Sequence, residues 1–308
     1  MQTLLYTHPD CLAHEPGLGH PESPDRLRAV LRALEGEGFQ DLIRAQAPLA
    51  ERADLERVHP AAYIDRIEQL APSDRTVHLD ADTAMSPGSL AAAYRAAGAV
   101  CAAVDEVLAG RARSAFCAVR PPGHHAEPHR PMGFCIFNNV AIGALHAREI
   151  HGLRRVAVID FDVHHGNGTQ AAFADDADLM YVSTHQWPLY PGTGSPAERG
   201  LGNIHNVTLP PQAGSHEFRH AYDARLLPAL EDFRPELVLI SAGFDAHSHD
   251  PLANLELGDD DYRWVTDELV WIADRHAKGR VVSTLEGGYN LAALARSARL
   301  HVRALMRA

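Results

Sequence analysis

Five short apolar runs, each passing straight into a turn that carries His, Asp, Glu or Tyr, constrain this chain more than any other feature. Ser114–Val119 runs into RPPGHH, Val156–Ile159 into DFDVHHGNG, Leu179–Ser183 into THQWPLYPGTG, Leu237–Ser241 into AGFDAH and Val281–Leu285 into EGGYN. The runs are continuous and β-branched rather than alternating, as strands are when a parallel sheet is covered on both faces. Helical stretches separate them at Ser89–Leu108, Asn139–His151, His216–Phe233 and Asp259–His276, and Gly110–Arg113 and Gly192–Gly202 read as loops. This alternation predicts a single α/β domain over residues 1–308, mostly parallel, with right-handed crossovers. No linker, repeat or low-complexity segment divides it.

Ligands of open α/β sheets bind outside the carboxyl ends of the strands. Those ends carry His124 and His125, then Asp160, Asp162 and His164, then Ser183 and His185, then Asp245, then Glu286 and Tyr289. Random placement would not gather these residues on one edge. Asp162 and His164, two apart at a strand end, point to the same side. With Asp245 they make one imidazole and two carboxylates, which leaves a tetrahedral zinc an open position for water. A zinc so held polarises a carbonyl and lowers the pKa of its water toward ~7. The same donors accept iron. The bland alternatives are a hydrogen-bonded turn for Asp162-Val163-His164 and a helix N-cap for Asp245.

Pro121, Pro122 and Gly123 make a stiff turn that fixes where His124 and His125 point. A neutral imidazole there can take a proton from water and return it to a leaving amine; the alternative is a solvent-exposed pair. Tyr289 can donate a hydrogen bond to an oxyanion, and Gly287 and Gly288 let the backbone approach closely. The chemistry implied is metal-dependent hydrolysis of an amide.

The formal net charge of −12 comes without a basic stripe, which argues against a nucleic-acid partner. It suits attraction of a cationic substrate or simple solubility. The N-terminal MQTLLYTHPD has no signal-peptide pattern, and no run of apolar residues is long enough to span a membrane. Cys11, Cys101, Cys117 and Cys135 form no CxxC pair, which favours reduced thiols and a cytoplasmic location.

RPPGHH at 120–125, GFCIFNN at 133–139, DFDVHHGNGTQ at 160–170, SAGFDAH at 241–247 and EGGY at 286–289 resemble the histone deacetylase and acetylpolyamine amidohydrolase superfamily. HPESPDR at 20–26 and DADTAMSPGS at 80–89 match in the same order, so the resemblance covers nearly the whole chain. It implies an arginase/deacetylase-like domain with about eight strands and helices on both faces of the sheet. It implies zinc on Asp162, His164 and Asp245, with His125 as general base and then acid. His124 becomes an electrostatic partner oriented by Asp160. Asn167 stands where class I members have an aspartate, a class II-like pattern that lowers the pKa of His125. Tyr289, absent from the vertebrate branch that has lost most acetyl-lysine activity, is the oxyanion donor.

Further residues follow from the same resemblance. Gly133, Phe134 and Tyr190 wall a narrow tunnel, Asp82 at its rim takes substrate N–H groups, and Gly287 joins the substrate contacts. Potassium falls to Asp160, Asp162, His164, Ser183 and Thr184. His20 and Glu22 shape the entrance, and Arg26 lines an inner channel. The substrate is an acylated lysine of a peptide or protein, or a related acylated amine. Acetylpolyamine hydrolysis is the alternative, although no acidic insertion typical of polyamine-specific members lies between Asp82 and Arg120. Two other readings are a dinuclear manganese ureohydrolase, whose bridging carboxylates these motifs do not supply, and a non-catalytic acyl-binding homologue. Assembly into a homo-oligomer is left open.

Overall fold

The computed structural model describes residues 2–307. Its strands are β1 (Thr3–Thr7), β2 (Ile43–Gln46), β3 (Val77–His78), β4 (Ala84–Met85), β5 (Ser114–Cys117), β6 (Val156–Asp160), β7 (Leu179–Gln186), β8 (Ile204–Leu209), β9 (Leu237–Ala242) and β10 (Val281–Leu285). Eight of them form one sheet in the order β2-β1-β5-β10-β9-β6-β7-β8. Every pairing in it is parallel. Helices cover both sides, and β3 and β4 make a separate antiparallel pair. The expected eight-stranded α/β architecture is what the chain adopts.

All residues of β5, β6, β7, β9 and β10 are buried, which is why these strands read as unbroken apolar runs. Helices Ser89–Leu108 and Asp259–His276 have the expected limits, and the helix from Asn139 ends at Glu149. The stretch expected as one helix over His216–Phe233 differs. It begins at Ser215 and is interrupted by a π-helical turn, Tyr222–Leu226, before Leu227–Phe233. Pro228 supplies the reason: it has no N–H, and its ring clashes with the carbonyl four residues back. The turn widens, and the Leu227 N–H reaches the Tyr222 carbonyl instead.

The strand order places the chemistry. β5, β10, β9, β6 and β7 are consecutive neighbours in the sheet. Their ends are nearly level, with Asp160 opposite Ser241 and Ser183, and Thr284 opposite Ser241 and Cys117. The five turns therefore meet on one edge.

Candidate active site

The turn after β6 is drawn tight by its own carboxylates. Asp160 Oδ1 accepts the Asp162 N–H at 3.1 Å, and Asp162 Oδ1 accepts the His164 N–H at 2.9 Å. Asp162 Oδ2 accepts the Gly287 N–H from the β10 turn at 2.8 Å. Asp245 Oδ1 accepts the Val163 N–H at 2.8 Å, whereas its buried Oδ2 has no hydrogen-bond partner among the described residues. His164 Nδ1 lies 3.1 Å from Asp162 Oδ1 and 3.2 Å from Asp245 Oδ2. One ligand atom from each of the three residues falls within 4.8 Å of the others.

These groups are unhappy as a set without a cation. Burial, then the neighbouring Asp162, pushes the Asp245 carboxyl up to about 7. Burial works to lower the His164 pKa, but Asp162 and Asp245 outweigh it and lift it to about 10. Two crowded carboxylates, an imidazole aimed at both and an oxygen without a donor fit a divalent ion. The approach is close enough to demand glycine. A Cβ on Gly243 would sit 2.0 Å from Asp162 Oδ2, and one on Gly287 would sit 2.1 Å from Asp245 Oδ2. Gly287, expected among the substrate contacts, thus lies behind the carboxylates and not on the cavity wall.

The two histidines of the β5 turn are tuned apart. His124 Nδ1 donates to Asp160 Oδ2 at 2.9 Å, and the Tyr181 hydroxyl donates to the same oxygen at 3.0 Å. Burial lowers the His124 pKa, but Asp160 and Asp162 prevail and raise it to about 10. His125 goes the other way: burial, then the His124 and His164 charges, hold it well below its ordinary value. Its Nδ1 faces Asn167 Oδ1 at 2.8 Å, while Asn167 Nδ2 donates to Glu127 Oε1 at 2.7 Å. A carboxylate only accepts. Glu127 therefore fixes which way the amide points, so His125 carries its proton on Nδ1 and presents a bare Nε2.

Exchanging that amide for a carboxylate tests the arrangement. In Asn167→Asp the imidazolium of His125 gains an opposite charge, which raises its pKa by about one unit or more. If His125 is the base and must be neutral to act, activity is then lost at higher pH than before. The acid limb of kcat/KM is expected to move upward in a pH–rate profile, and an unmoved limb would contradict His125 as the base.

Glu286, singled out above without a role, braces the same turn. Its Oε2 accepts the Gly123 and His124 N–H groups at 2.7 and 3.2 Å, and its Oε1 takes the Ser241 hydroxyl at 3.1 Å. Burial pushes this carboxyl up to about 7.

Above the cluster opens a cavity of about 200 Å³ lined by Asp82, His125, Gly133, Phe134, His164, Leu189, Tyr190, Leu252 and Tyr289. Gly133, at φ 57°, lies flat on the imidazole; a Cβ there would be 2.3 Å from His125 Cδ2. Asp82 is half-buried at the mouth, and its Oδ1 accepts the Gly133 N–H at 3.0 Å and the Thr83 hydroxyl at 2.9 Å. One of its oxygens is thus committed to the cavity wall. Phe134 and Tyr289 meet edge to face, with centroids 5.9 Å apart. Leu189 and Leu252 carried no signal in the sequence, since both sit in irregular loops without periodicity. Asp250 was equally silent, yet its Oδ2 accepts the Tyr289 N–H at 2.7 Å and anchors that residue.

The first loop departs from expectation. His20 packs edge-on against Phe134 at 4.7 Å, behind the residue that lines the cavity. Glu22 is not at the entrance: it is fully buried, paired with Arg26 at 2.9 Å and with both forks of Arg120. Arg26 is buried too. It donates to the Gly288 carbonyl at 2.6 Å and lies over the Tyr289 ring at 4.9 Å, so it holds the β10 turn. Two guanidiniums drawn into the core need a buried anion, and this is what pulls Glu22 inward.

Burial would raise the Glu22 pKa, but Arg120 and His14 outweigh it and hold the carboxyl well below the usual range. Its stabilising effect is therefore intact above that range and lost only as pH falls through the depressed value. Glu22→Gln is expected to cost about 3–5 kcal/mol in urea unfolding at neutral pH. An unchanged midpoint would show the pair to be worth nothing.

The fold is a parallel α/β sheet with a candidate metal cluster at its carboxyl edge. Residues 20–305 match the histone deacetylase domain, and the chain belongs to that family. It is similar to the histone deacetylase-like amidohydrolase of Pseudomonas aeruginosa, 43% identical over 278 residues that cover 88% of this chain and 73% of that one. It is also similar to a protein of Archaeoglobus fulgidus named "Probable deacetylase", 36% identical over 298 residues, 94% of this chain and 82% of that one. The solved HDA15 HD domain covers 99% of this chain and 90% of its own, with a TM-score of 0.93 at 33% identity. No helix among the described residues is long and apolar enough to cross a membrane.

Proposed function

We propose that this deacetylase hydrolyses the amide of N-acetyl or other short N-acyl groups on lysine side chains or related amines, with zinc held by Asp162, His164 and Asp245. The observation that carries the reading is the convergence of those three donor sets beneath a narrow cavity walled by Phe134 and Tyr190, with His125 and Tyr289 at its floor. Ferrous iron suits the same donors. A divalent ion bound there acidifies water and polarises the amide carbonyl.

The chain's own residues do the rest. Phe134 and Tyr190 exclude water around an extended acyl-amine chain. His125 Nε2 takes the proton of the attacking water, and Asn167 holds the opposite nitrogen protonated. The Tyr289 hydroxyl donates to the oxygen of the tetrahedral adduct. His124, kept charged by Asp160, stabilises that negative charge at short range. His125 then passes its proton to the amine nitrogen as the C–N bond breaks, leaving a free amine and a short carboxylic acid.

Asp160, Asp162, His164, Ser183 and Thr184 are proposed to hold a structural potassium; Thr184 Oγ1 is buried without a hydrogen-bond partner among the described residues, while Ser183 is engaged with His185 at 2.8 Å. The four free, buried cysteines suit a reducing cytoplasm.

Kinetics on acyl-lysine peptides of varied chain length, set beside acetylated putrescine and spermidine, test the substrate. Higher kcat/KM on the peptides is the expected result. A strong preference for the polyamines would replace acyl-lysine by the alternative, and no turnover of either by metal-loaded protein would sink the reading.

A further inference from the structure

A second cluster of metal-binding side chains lies where helices Ser89–Leu108 and Asn139–Glu149 end side by side. His146, two turns into the second helix, is largely buried and has a carboxylate at each ring nitrogen. Nδ1 is 3.2 Å from Asp54 Oδ1, and Nε2 is 2.7 Å from Asp105 Oδ1. His151, just past the helix end, brings its Nε2 to 2.6 Å from the same Asp105 oxygen. The donor atoms of Asp105, His146 and His151 all lie within 4.8 Å of one another.

The two carboxylates differ in what else they meet. Asp54 is paired with Arg57, whereas Asp105 has no Lys or Arg partner among the described residues. A neutral imidazole carries a single N–H. Given to Asp54, that N–H leaves the His146 Nε2 lone pair facing the lone pairs of Asp105. The His151 nitrogen faces the same oxygen. A cation that takes the place of the protons His146 and His151 share with Asp105 would bond all three donor atoms at once.

Asp54 would then stand behind His146 as carboxylates stand behind metal-bound histidines, fixing tautomer and ring orientation. A cavity of about 340 Å³ lined by Asp54, Cys101, Asp105 and His146 gives the ion a way in. Cys101 groups with Asp54 and His146 and not with Asp105 and His151, so it stays out of the set.

We infer that Asp105, His146 and His151 form a second divalent-metal site, separate from the catalytic cluster, that takes a zinc-class ion and clamps the two helix ends together. Two imidazoles and one carboxylate suit zinc, nickel or copper rather than magnesium or calcium. Water completes the sphere from the exposed side. An ion that binds only the folded chain raises its melting temperature in proportion to the logarithm of ion concentration.

The test titrates zinc into chelator-stripped full-length protein, counting equivalents by calorimetry and following Tm. Wild type is expected to take up one equivalent more than His151→Gln or Asp105→Asn. His151 is exposed, so its variant is expected to fold and to retain wild-type deacetylase activity once reloaded. Asp162→Ala, which disables the catalytic cluster, is expected to keep the second equivalent and its zinc-dependent rise in Tm. Equal zinc uptake by wild type and His151→Gln, or loss of both equivalents in Asp162→Ala, would overturn the second site.

Discussion

Asp245→Asn is expected to purify with little or no catalytic metal and to lose activity beyond the roughly 10–100-fold that removing a residue behind a ligand costs a metal site. The amide keeps the oxygen that receives the Val163 N–H, so the β9 turn is held as before. What changes is the buried Oδ2, the atom with no donor, and the negative charge crowding Asp162. Metal analysis and a thermal melt separate the two effects. The expected pair of results is a melt as cooperative as that of the wild type stripped of metal, and a catalytic site left vacant. A full catalytic equivalent in the variant, with activity retained, would remove Asp245 from the ligand set.

Tyr289→Phe is expected to lower kcat on acetyl-lysine peptides by roughly 10²-fold with KM little altered, the usual cost of one oxyanion donor. The substitution is local. The ring keeps its edge contact with Phe134 and the guanidinium of Arg26 above it, and the backbone stays tied to Asp250. Only the hydroxyl is lost, so a change in kcat with unchanged metal content and stability reports a transition-state interaction. Unimpaired turnover would assign the oxyanion to other groups and leave Tyr289 as part of the wall.

The catalytic candidates were legible because each sits at the end of a strand buried on both faces, where an apolar run stops abruptly at charged residues. Asp160, Asp162, His164, Asp245 and the His124–His125 pair all announce themselves in that way. Their supports did not. Glu127 and Asp250 lie in loops and act on residues 40 and 39 positions away. No local pattern encodes such a contact. Glu22 misled for a related reason: in a polar first loop it reads as an entrance residue, and only its two buried arginine partners show why it is inside.

The strand limits tell the same story. β2 at the sheet edge alternates half-buried with exposed residues, and β1 and β8 lack the long β-branched runs of the centre, so none of the three stood out.

By itself the sequence determined the alternation of strand and helix, the identity of the five core strands and the residues that terminate them. Those are consequences of local burial, written in the period of the side chains. The tertiary structure decided the order in which the strands lie. β5, β10, β9, β6 and β7 become neighbours through crossovers that bring together residues more than a hundred positions apart, Gly287 and Asp162 among them. Pairing of that kind is chosen by packing of the whole sheet. It alone turns five separate polar turns into one buried site, and sets Gly287 against the carboxylates rather than in the cavity.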